Sequence, residues 1–366
     1  MNQERKKVLL VAPYFKPHIG GLENYVANIE AGLQSLGWKT VIVTSNDLGA
    51  RAIEETLDGA KVYRLATSFK VFNSPINLLW YFHLRKIFRK ERPDIIYAHA
   101  PVPFITDMAA LAAGKYPFVL GYHTASMKKG QWLADVIIWC YENTLLKHTA
   151  AKAKRIVCPS QFIVSTLLQG FSEKTTIITP GVNSDMFKPS QNQPEKSTIL
   201  FVARFANMYR MKGLYDLMEA MKHIPNALLK VIGEPISCEQ TNVVFLGQKT
   251  AAETSIEIQN CSLLALPAHE NVESFGMVLI EAMACHKPVI GTRTGGIPEV
   301  IRDGVDGIIV PPRDPSALEA AIHRIIENPI LAESFADAGY QKVLSQFTWE
   351  RKVKETDMLL TSVLAQ

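Results

Sequence analysis

HENVESFGMVLIEAMACHKPVIGTRTGGIPEVI, residues 269–301, carries the most specific structural signature in this sequence. Two glutamates, Glu273 and Glu281, stand eight residues apart in it. Ser274 is a suitable N-cap, so the apolar run Phe275–Ala284 predicts a helix that begins beside the first glutamate. Eight residues of helix rise about 12 Å, a span similar to that of an extended sugar diphosphate.

The pattern indicates a site for a diphosphate-linked sugar. A helix start offers unpaired N–H groups and a positive dipole end, which suit a diphosphate. Carboxylates at both ends of the span can accept hydrogen bonds from a sugar and from a ribose. Glutamates at this spacing are most often solvated surface charges. However, Glu281 lies in VLIEAMA, where an unpaired charge is costly. The next run, Lys287–Gly291, predicts a buried strand that leads into the turn Thr294-Gly295-Gly296.

The motif and its flanks, ESFGMVLIEAMA, KPVIGT, GGIPEVI and GxxGIIVPP, resemble the large family of retaining, nucleotide-sugar-dependent glycosyltransferases with the GT-B fold. The resemblance extends over nearly the whole chain. It implies an α/β protein in which two Rossmann-like domains with doubly wound parallel sheets face a cleft. The first domain would bind the acceptor and the second the nucleotide sugar, and a C-terminal helix would return to the first domain.

Length and composition agree with a two-domain globular enzyme. The chain has 366 residues, of which 48% are hydrophobic and 20% charged. Five cysteines without a C-x-x-C pair argue against a zinc site or a disulfide framework, and they favour a reducing cytosol. The apolar run Val8–Pro13 is too short for a signal-peptide core, and no stretch has the length of a membrane span. These features predict a cytoplasmic protein.

Charge divides unequally along the chain. Residues 1–190 hold 23 Lys and Arg against 14 Asp and Glu, a net of +9, whereas residues 191–366 hold 16 against 21, a net of −5. A basic first half suggests an anionic surface or acceptor. Two aromatic and basic segments, Pro75–Lys90 and Met127–His148, could rest on an anionic membrane or pack as ordinary helices on the sheet. No nucleic-acid-binding motif is present, so no nucleic-acid partner is expected.

The start of the chain predicts a βαβ unit. A strand at Lys7–Ala12 precedes the loop Pro13–Ile19, the pair Gly20-Gly21 and a helix at Leu22–Leu36, and Thr40–Ser45 predicts the next strand. The glycine pair falls at the carboxyl end of a strand, where ligands bind. Its N–H groups could contact a phosphate or an incoming hydroxyl, or the pair could form only a tight turn.

His123 ends a predicted strand at Val119–Thr124. A histidine in this place is more often structural, but the resemblance implies that it contacts the donor sugar. In the second domain Arg204 follows the predicted strand Thr198–Ala203, and Lys212 precedes a helix. The resemblance implies that these two cations hold the diphosphate. Because the intervening loop is longer than usual in the family, Arg210 competes with Arg204 for that role.

The resemblance also places the nucleotide base at the loop that contains Gln248 and Lys249. The domains are predicted to span residues 1–186 and 198–345, with a linker at 187–197 and a returning helix within 346–366. The predicted catalytic residues are Glu273, His123, Arg204 and Lys212. The predicted donor-binding residues are Gly20, Gly21, Arg204, Lys212, Gln248, Lys249, Ser274, Phe275, Gly276, Met277, Val278 and Glu281.

The chemistry implied by the resemblance is transfer of a hexosyl unit from a UDP- or GDP-sugar to a saccharide or lipid-linked acceptor, with retained anomeric configuration. No D-x-D motif occurs at a suitable place, so cationic side chains are expected to replace a metal, and no cofactor is expected beyond the nucleotide sugar. A nucleotide-sugar epimerase, a glycogen-synthase-like elongator and a non-catalytic binding module on the same fold are the alternatives.

Overall fold

The computed structural model describes residues 5–18, 20–46, 49, 51–71, 74–125, 127, 132–190, 197–269 and 273–366. The chain divides into two compact units, Met1–Thr179 with Trp349–Gln366, and Pro180–Thr348. The division therefore falls before the predicted linker, because Phe187 is buried in the core of the second unit. Residues 191–196 of that linker, like residues 128–131 of the predicted segment Met127–His148, lie outside the described residues.

The first unit is built on an eight-stranded sheet in the order β10-β9-β8-β7-β1-β2-β4-β3. All neighbours pair in parallel except β3, which runs antiparallel to β4 at one edge. Its elements are β1 (Lys7–Val11), α1 (Gly21–Ser35), β2 (Lys39–Asn46), β3 (Ile53–Leu57), β4 (Ala60–Ala66), the hairpin strands β5 (Phe69–Val71) and β6 (Ser74–Ile76), α2 (Trp80–Glu91), β7 (Ile95–Ala100), α3 (Ile105–Ala112), β8 (Phe118–Tyr122), α4 (Trp132–Asn143), α5 (Leu145–Lys152), β9 (Arg155–Cys158), α6 (Gln161–Thr166), a 3₁₀ helix (Gln169–Lys174) and β10 (Thr175–Ile177).

The second unit is built on a six-stranded, wholly parallel sheet in the order β13-β12-β11-β14-β15-β16. Its elements are β11 (Thr198–Val202), a 3₁₀ helix (Ala206–Met208), α7 (Leu214–Met221), β12 (Leu228–Ile232), β13 (Val243–Phe245), α8 (Ala251–Asn260), β14 (Leu263–Leu266), α9 (Met277–Ala284), β15 (Val289–Thr292), α10 (Ile297–Val300), β16 (Ile308–Val310), α11 (Pro315–Ile326) and α12 (Pro329–Gln346). Both sheets are doubly wound, which confirms the predicted α/β class.

The last helix, α13 (Trp349–Leu364), packs on α1 of the first unit. Gly32 makes room for it, because a Cβ there would lie 2.2 Å from a methyl of Val353. The Trp38 indole also donates a 2.7 Å hydrogen bond to Asp357. The start of the chain and its last helix therefore share one core.

In each unit the strand order reverses at one point of the sheet. In the second unit the chain runs outward from β11 to β13 and then restarts at β14 on the other side of β11. In the first unit β1 and β7 form the equivalent pair. Ligands of doubly wound sheets bind beyond the carboxyl ends of the strands at such reversals. No helix in the described part of the chain is both long and apolar enough to cross a bilayer.

Candidate functional site

Three loops of the second unit meet beyond the carboxyl ends of its central strands. They follow β11, β14 and β15 and span residues 203–213, 267–276 and 293–296; residues 270–272 of the middle loop lie outside the described residues. The His269 N–H donates to the Met211 carbonyl at 2.8 Å, and the Gly296 N–H donates to the Glu273 carbonyl at 2.9 Å. The middle loop is thus joined by its backbone to both of its neighbours.

Lys212 and Glu273 form an ion pair where two of these loops meet. The Lys212 Nζ lies 2.5 Å from Glu273 Oε2, and the other oxygen, Oε1, accepts a 3.1 Å hydrogen bond from the Gly276 N–H. The side chains are 23% and 12% exposed, so the pair is partly shielded yet reachable from solvent. The structure therefore brings together two of the four predicted catalytic residues.

The helix that follows Glu273 begins later than predicted. Helix α9 starts at Met277, and its N-cap is Gly276 in a left-handed conformation with φ 99°. Ser274 is thus not the N-cap, and Phe275 precedes the helix. Glycine adopts positive φ without steric cost, so it ends the loop where serine was expected to. Glu273 lies in the loop, and the 12 Å span estimated from helical rise does not apply between the two glutamates.

Two glycines permit the close approach of these loops. A Cβ at Gly213 would lie 1.8 Å from the Pro267 carbonyl oxygen, and one at Gly295 would lie 2.1 Å from that of Glu273. Both residues have positive φ, 77° and 58°. The backbone contacts that hold Lys212 beside Glu273 therefore require glycine at both positions.

Glu281 lies on α9 between buried residues. Burial raises the pKa of this carboxyl to about 7. The carboxyl has no hydrogen-bond partner among the residues that the structure describes. Its oxygens can therefore accept hydrogen bonds from a ligand, and its charge changes close to neutral pH.

The predicted phosphate-binding arginines lie on the loop after β11. Arg204 and Arg210 are both exposed, and the Arg204 guanidinium stacks 5.3 Å from the centre of the Phe205 ring. The loop is anchored by Tyr209, which is buried and donates its hydroxyl to the Glu234 carbonyl. Since both arginines are exposed, the choice between them stays a prediction.

Gln248 and Lys249 follow β13. The Gln248 amide donates to Glu234 Oε1 and to the Arg204 carbonyl, both at 3.4 Å. The Lys249 ammonium lies 3.5 Å from Glu257 on α8. The structure thus places Gln248 beside the loop after β11, whereas Lys249 has an ion-pair partner on the helix that follows it.

Sequence reasoning missed two anchors of this site. Glu234 accepts the Ala206 N–H at 3.0 Å through its carboxylate, and His269 Nε2 lies 2.6 Å from Asp216 Oδ2. Glu234 follows Gly233 at the end of β12, and this strand-end position was the signal available for it. The His269–Asp216 contact joins residues 53 apart and leaves no local pattern in the sequence.

Gly20, Gly21 and His123 belong to the first unit. Gly20 is the extended N-cap of α1, which begins at Gly21. His123 follows β8, and its Nε2 lies 3.1 Å from Nδ1 of His99. Burial lowers the pKa of His123 to about 3, so the imidazole is neutral.

One group of side chains in the described residues has the spacing of metal ligands. Ligand atoms of His286, Glu333 and Asp337 all lie within 4.8 Å of one another. His286 follows α9 and the two carboxylates lie on α12. These residues are not part of the three loops that hold Lys212 and Glu273.

Two family models match the chain and together span residues 19–342. The second half, residues 182–342, matches the model described as glycosyl transferases group 1. The first half, residues 19–186, matches the model described as glycosyltransferase family 4. The matches cover the glycine pair and His123 in the first unit and all three loops in the second.

Several proteins of similar sequence are named as glycosyltransferases. The chain is 27% identical to the uncharacterized glycosyltransferase MJ1178 of Methanocaldococcus jannaschii, with 95% of each chain covered. It is 25% identical to the O-antigen chain mannosyltransferase C of Escherichia coli, with 96% of each covered. The fold matches Anabaena Alr3699/HepE, solved in complex with UDP and glucose, with a TM-score of 0.73, 19% identity, and coverage of 98% of this chain and 100% of that one.

Proposed function

The chain belongs to the group 1 glycosyltransferases, and from this premise we propose that it transfers a hexosyl unit from a nucleoside diphosphate sugar with retention of anomeric configuration. The observation that carries the proposal is the Lys212–Glu273 pair at the strand reversal of the second unit. It presents a cation for a diphosphate and a carboxylate for sugar hydroxyls within one hydrogen-bond length.

Charge compensation supports the diphosphate part of the proposal. Departure of a nucleoside diphosphate leaves negative charge on its phosphate oxygens, and preorganised cations and N–H groups stabilise that charge. Lys212 and Arg204 supply the cations. The start of α9 and the preceding loop supply the N–H groups of Ser274, Phe275, Met277 and Val278, whereas the N–H of Gly276 donates to Glu273 and holds that carboxylate in place. We propose that these groups act without a divalent metal and that the departing phosphate accepts the acceptor's proton on the same face of the sugar.

We propose contacts for the ribose, the base and the sugar of the donor from the chemistry of three further residues. Glu281, whose carboxyl has no partner among the described residues, would accept hydrogen bonds from the ribose hydroxyls. Gln248 would face the base. His123 of the first unit would contact the donor sugar, as the resemblance implies. UDP and GDP both fit these groups. A neighbour solved with UDP and glucose and a relative named as a mannosyltransferase both agree with a hexosyl unit.

We propose a saccharide or lipid-linked saccharide of the cell envelope as the acceptor. The first unit exposes large apolar side chains on one helix, α4, where Trp132 is 74%, Leu133 62% and Trp139 55% exposed. On α2 the side chain of Phe82 is 64% exposed beside Arg85 and Lys86. Such surfaces bind anionic lipid headgroups. The enzyme would therefore act in the cytoplasm, attached reversibly to the inner face of the membrane.

The experiment that tests the function measures nucleoside diphosphate release from UDP- and GDP-hexoses with purified protein, with and without lipid-linked saccharide acceptors. Release that depends on acceptor, with the new bond in the donor's anomeric configuration, supports the proposal. Release of a changed sugar without acceptor would indicate an epimerase. Repeated addition to one chain would indicate an elongator. Tight donor binding without turnover would indicate a binding module.

Liposome sedimentation tests the proposed location. Binding to vesicles that contain anionic lipid should exceed binding to neutral vesicles and fall as salt rises from 0.05 to 0.5 M, conditions chosen to shorten the Debye length several-fold, from roughly 14 to 4 Å. Binding that is indifferent to both lipid charge and salt would contradict the membrane part of the proposal and leave the transfer reaction unaffected.

A further inference from the structure

Two histidines of the first unit contact each other at the ends of adjacent strands. His99 lies on β7, and His123 follows the neighbouring parallel strand β8. Nδ1 of His99 and Nε2 of His123 are 3.1 Å apart, a hydrogen-bond distance. The His99 side chain is fully buried, and the ring of Tyr25 covers His123 at 4.4 Å between centroids. The relative position of the two imidazoles is thus fixed by packing.

Gly121 provides the space for this contact. It pairs with His99 across the sheet, and a Cβ at this position would lie 2.7 Å from His99 Nδ1 and 2.9 Å from His123 Nε2. Its backbone is that of an ordinary strand. The requirement for glycine is therefore one of volume, created by the two nitrogens that face each other.

The hydrogen bond defines where the protons lie. Burial lowers the pKa of both imidazoles, so each carries one proton. Only one of the two facing nitrogens can donate. His99 Nε2 is buried and has no hydrogen-bond partner among the residues that the structure describes. A buried N–H without an acceptor is rarer than a buried acceptor without a donor. The arrangement that leaves no unpaired N–H on His99 places the His99 proton on Nδ1, from which it is donated to His123 Nε2.

We propose that His99 is a positioning residue that holds His123 in the tautomer protonated on Nδ1. In this tautomer, a contact between His123 Nδ1 and a sugar or phosphate oxygen is a hydrogen bond that the imidazole donates. This inference rests on the proposed function for its catalytic consequence. The tautomer itself is a property of the folded protein and can be measured without substrate.

The first measurement is the ¹⁵N chemical shifts of the histidine rings in the full-length wild-type protein, with His123→Gln used to assign the His123 signals. We expect the pattern of an imidazole with a protonated Nδ1 and a bare Nε2. In His99→Leu we expect His123 to populate the Nε2-protonated tautomer. His99→Asn, whose amide can donate from the position of Nδ1, should keep the wild-type pattern. If His123 of the wild-type protein is protonated on Nε2, the inference is wrong, whatever the variants show.

The second measurement is steady-state kinetics of the same proteins and of Gly121→Ala. Loss of the positioning bond should lower kcat about 10-fold in His99→Leu and Gly121→Ala, with nucleoside diphosphate Kd changed less than twofold. His99→Asn should recover most of the kcat. Gly170→Ala is the control, because a Cβ there meets nothing within 4 Å.

The two measurements distinguish the positioning role of His99 from the sugar contact proposed for His123. A tautomer that changes in His99→Leu together with an unchanged kcat would support the role of His99 and contradict the sugar contact proposed for His123. A tautomer that stays the same in His99→Leu would overturn the role of His99, whatever happens to kcat.

Discussion

The second unit holds ionised side chains in loops, whereas the first unit holds neutral imidazoles in its core. Lys212 and Glu273 remain partly exposed and are positioned by backbone contacts between three loops. His99 and His123 are positioned by ring packing and by the space that Gly121 leaves. The two units therefore differ in how they can interact with a ligand. The second unit presents full charges, which can compensate the charge of a diphosphate. The first unit presents neutral imidazoles, which can form directed hydrogen bonds.

Removal of the cation should have the largest effect. Lys212→Ala deletes the ammonium that the proposal sets against the departing diphosphate, and kcat/KM should fall about 1000-fold. Steady-state nucleoside diphosphate release measures it. Lys222→Ala is the matched control, because Lys222 pairs with Glu219 and both side chains are more than half exposed. If kcat/KM falls less than about 10-fold in Lys212→Ala, the charge of the second unit does not have the role in catalysis that we propose for it.

Glu273→Ala should have the next largest effect and should act mainly on kcat. The sugar ring changes shape and charge as its bond to phosphate breaks, so a hydrogen bond from that ring strengthens in the transition state. We expect kcat to fall about 100-fold, with a smaller rise in donor KM, as measured by steady-state kinetics. Loss of free nucleoside diphosphate binding with kcat preserved would reverse the assignment.

Glu281→Ala should weaken donor binding instead of slowing the reaction. The ribose does not react, so its hydrogen bonds are equal in ground and transition states. Calorimetry should show a Kd for free nucleoside diphosphate raised about 10-fold, which corresponds to about 1.4 kcal/mol. An unchanged Kd in this variant, together with a weakened Kd in Glu273→Ala, would show that the two glutamates have exchanged roles.

The last expected effect concerns the pH dependence of stability. Burial raises the pKa of Glu281 to about 7, above the ordinary value of 4.5, so the folded state holds this proton more tightly than the unfolded chain does. The contribution of Glu281 to the free energy of unfolding is therefore complete below pH 4.5 and is lost as pH rises towards 7. Because the side chain is partly exposed, we expect a loss of only about 1–2 kcal/mol.

Urea unfolding of the nucleotide-free protein between pH 4.5 and 7.5 tests this sign. Glu281→Gln has no carboxyl to titrate, so the difference in unfolding free energy between it and the wild type should change across that interval. A constant difference would mean that Glu281 titrates alike in the folded and unfolded states.

The fold was largely predictable because its signals are local. Apolar runs followed by glycine turns and amphipathic segments indicated both series of parallel strands, and the binding edge follows from strand order. The antiparallel strand β3 and the hairpin of β5 and β6 were missed, since short edge strands carry weak hydrophobic patterns. The predicted N-cap Ser274 was wrong because the backbone turns at Gly276, and the loop's contact with the Gly295 turn was not part of the local pattern.

The site was predictable only where motif spacing identified residues. Lys212 and Glu273, 61 residues apart, were both assigned to the donor site by resemblance to a family, and the structure shows an ion pair between them that was not predicted. The positions of Glu234 and His99 depend on partners that only the folded sheets bring near. Local sequence patterns cannot reveal a pair such as His99 and His123, because the two residues are 24 positions apart and belong to separate strand ends.

The shared core of α1 and α13 has a consequence for synthesis of the protein. Val353 fills the space above Gly32, so the first unit lacks part of its core until α13 has left the ribosome. The intervening unit, Pro180–Thr348, is continuous in sequence and has its own sheet and core. A nascent chain can therefore complete the second unit while the first, although it emerges earlier, still waits for its final segment. The core of the first unit is thus completed only after the second unit has been synthesised, and a premature stop within α13 should destabilise the N-terminal core.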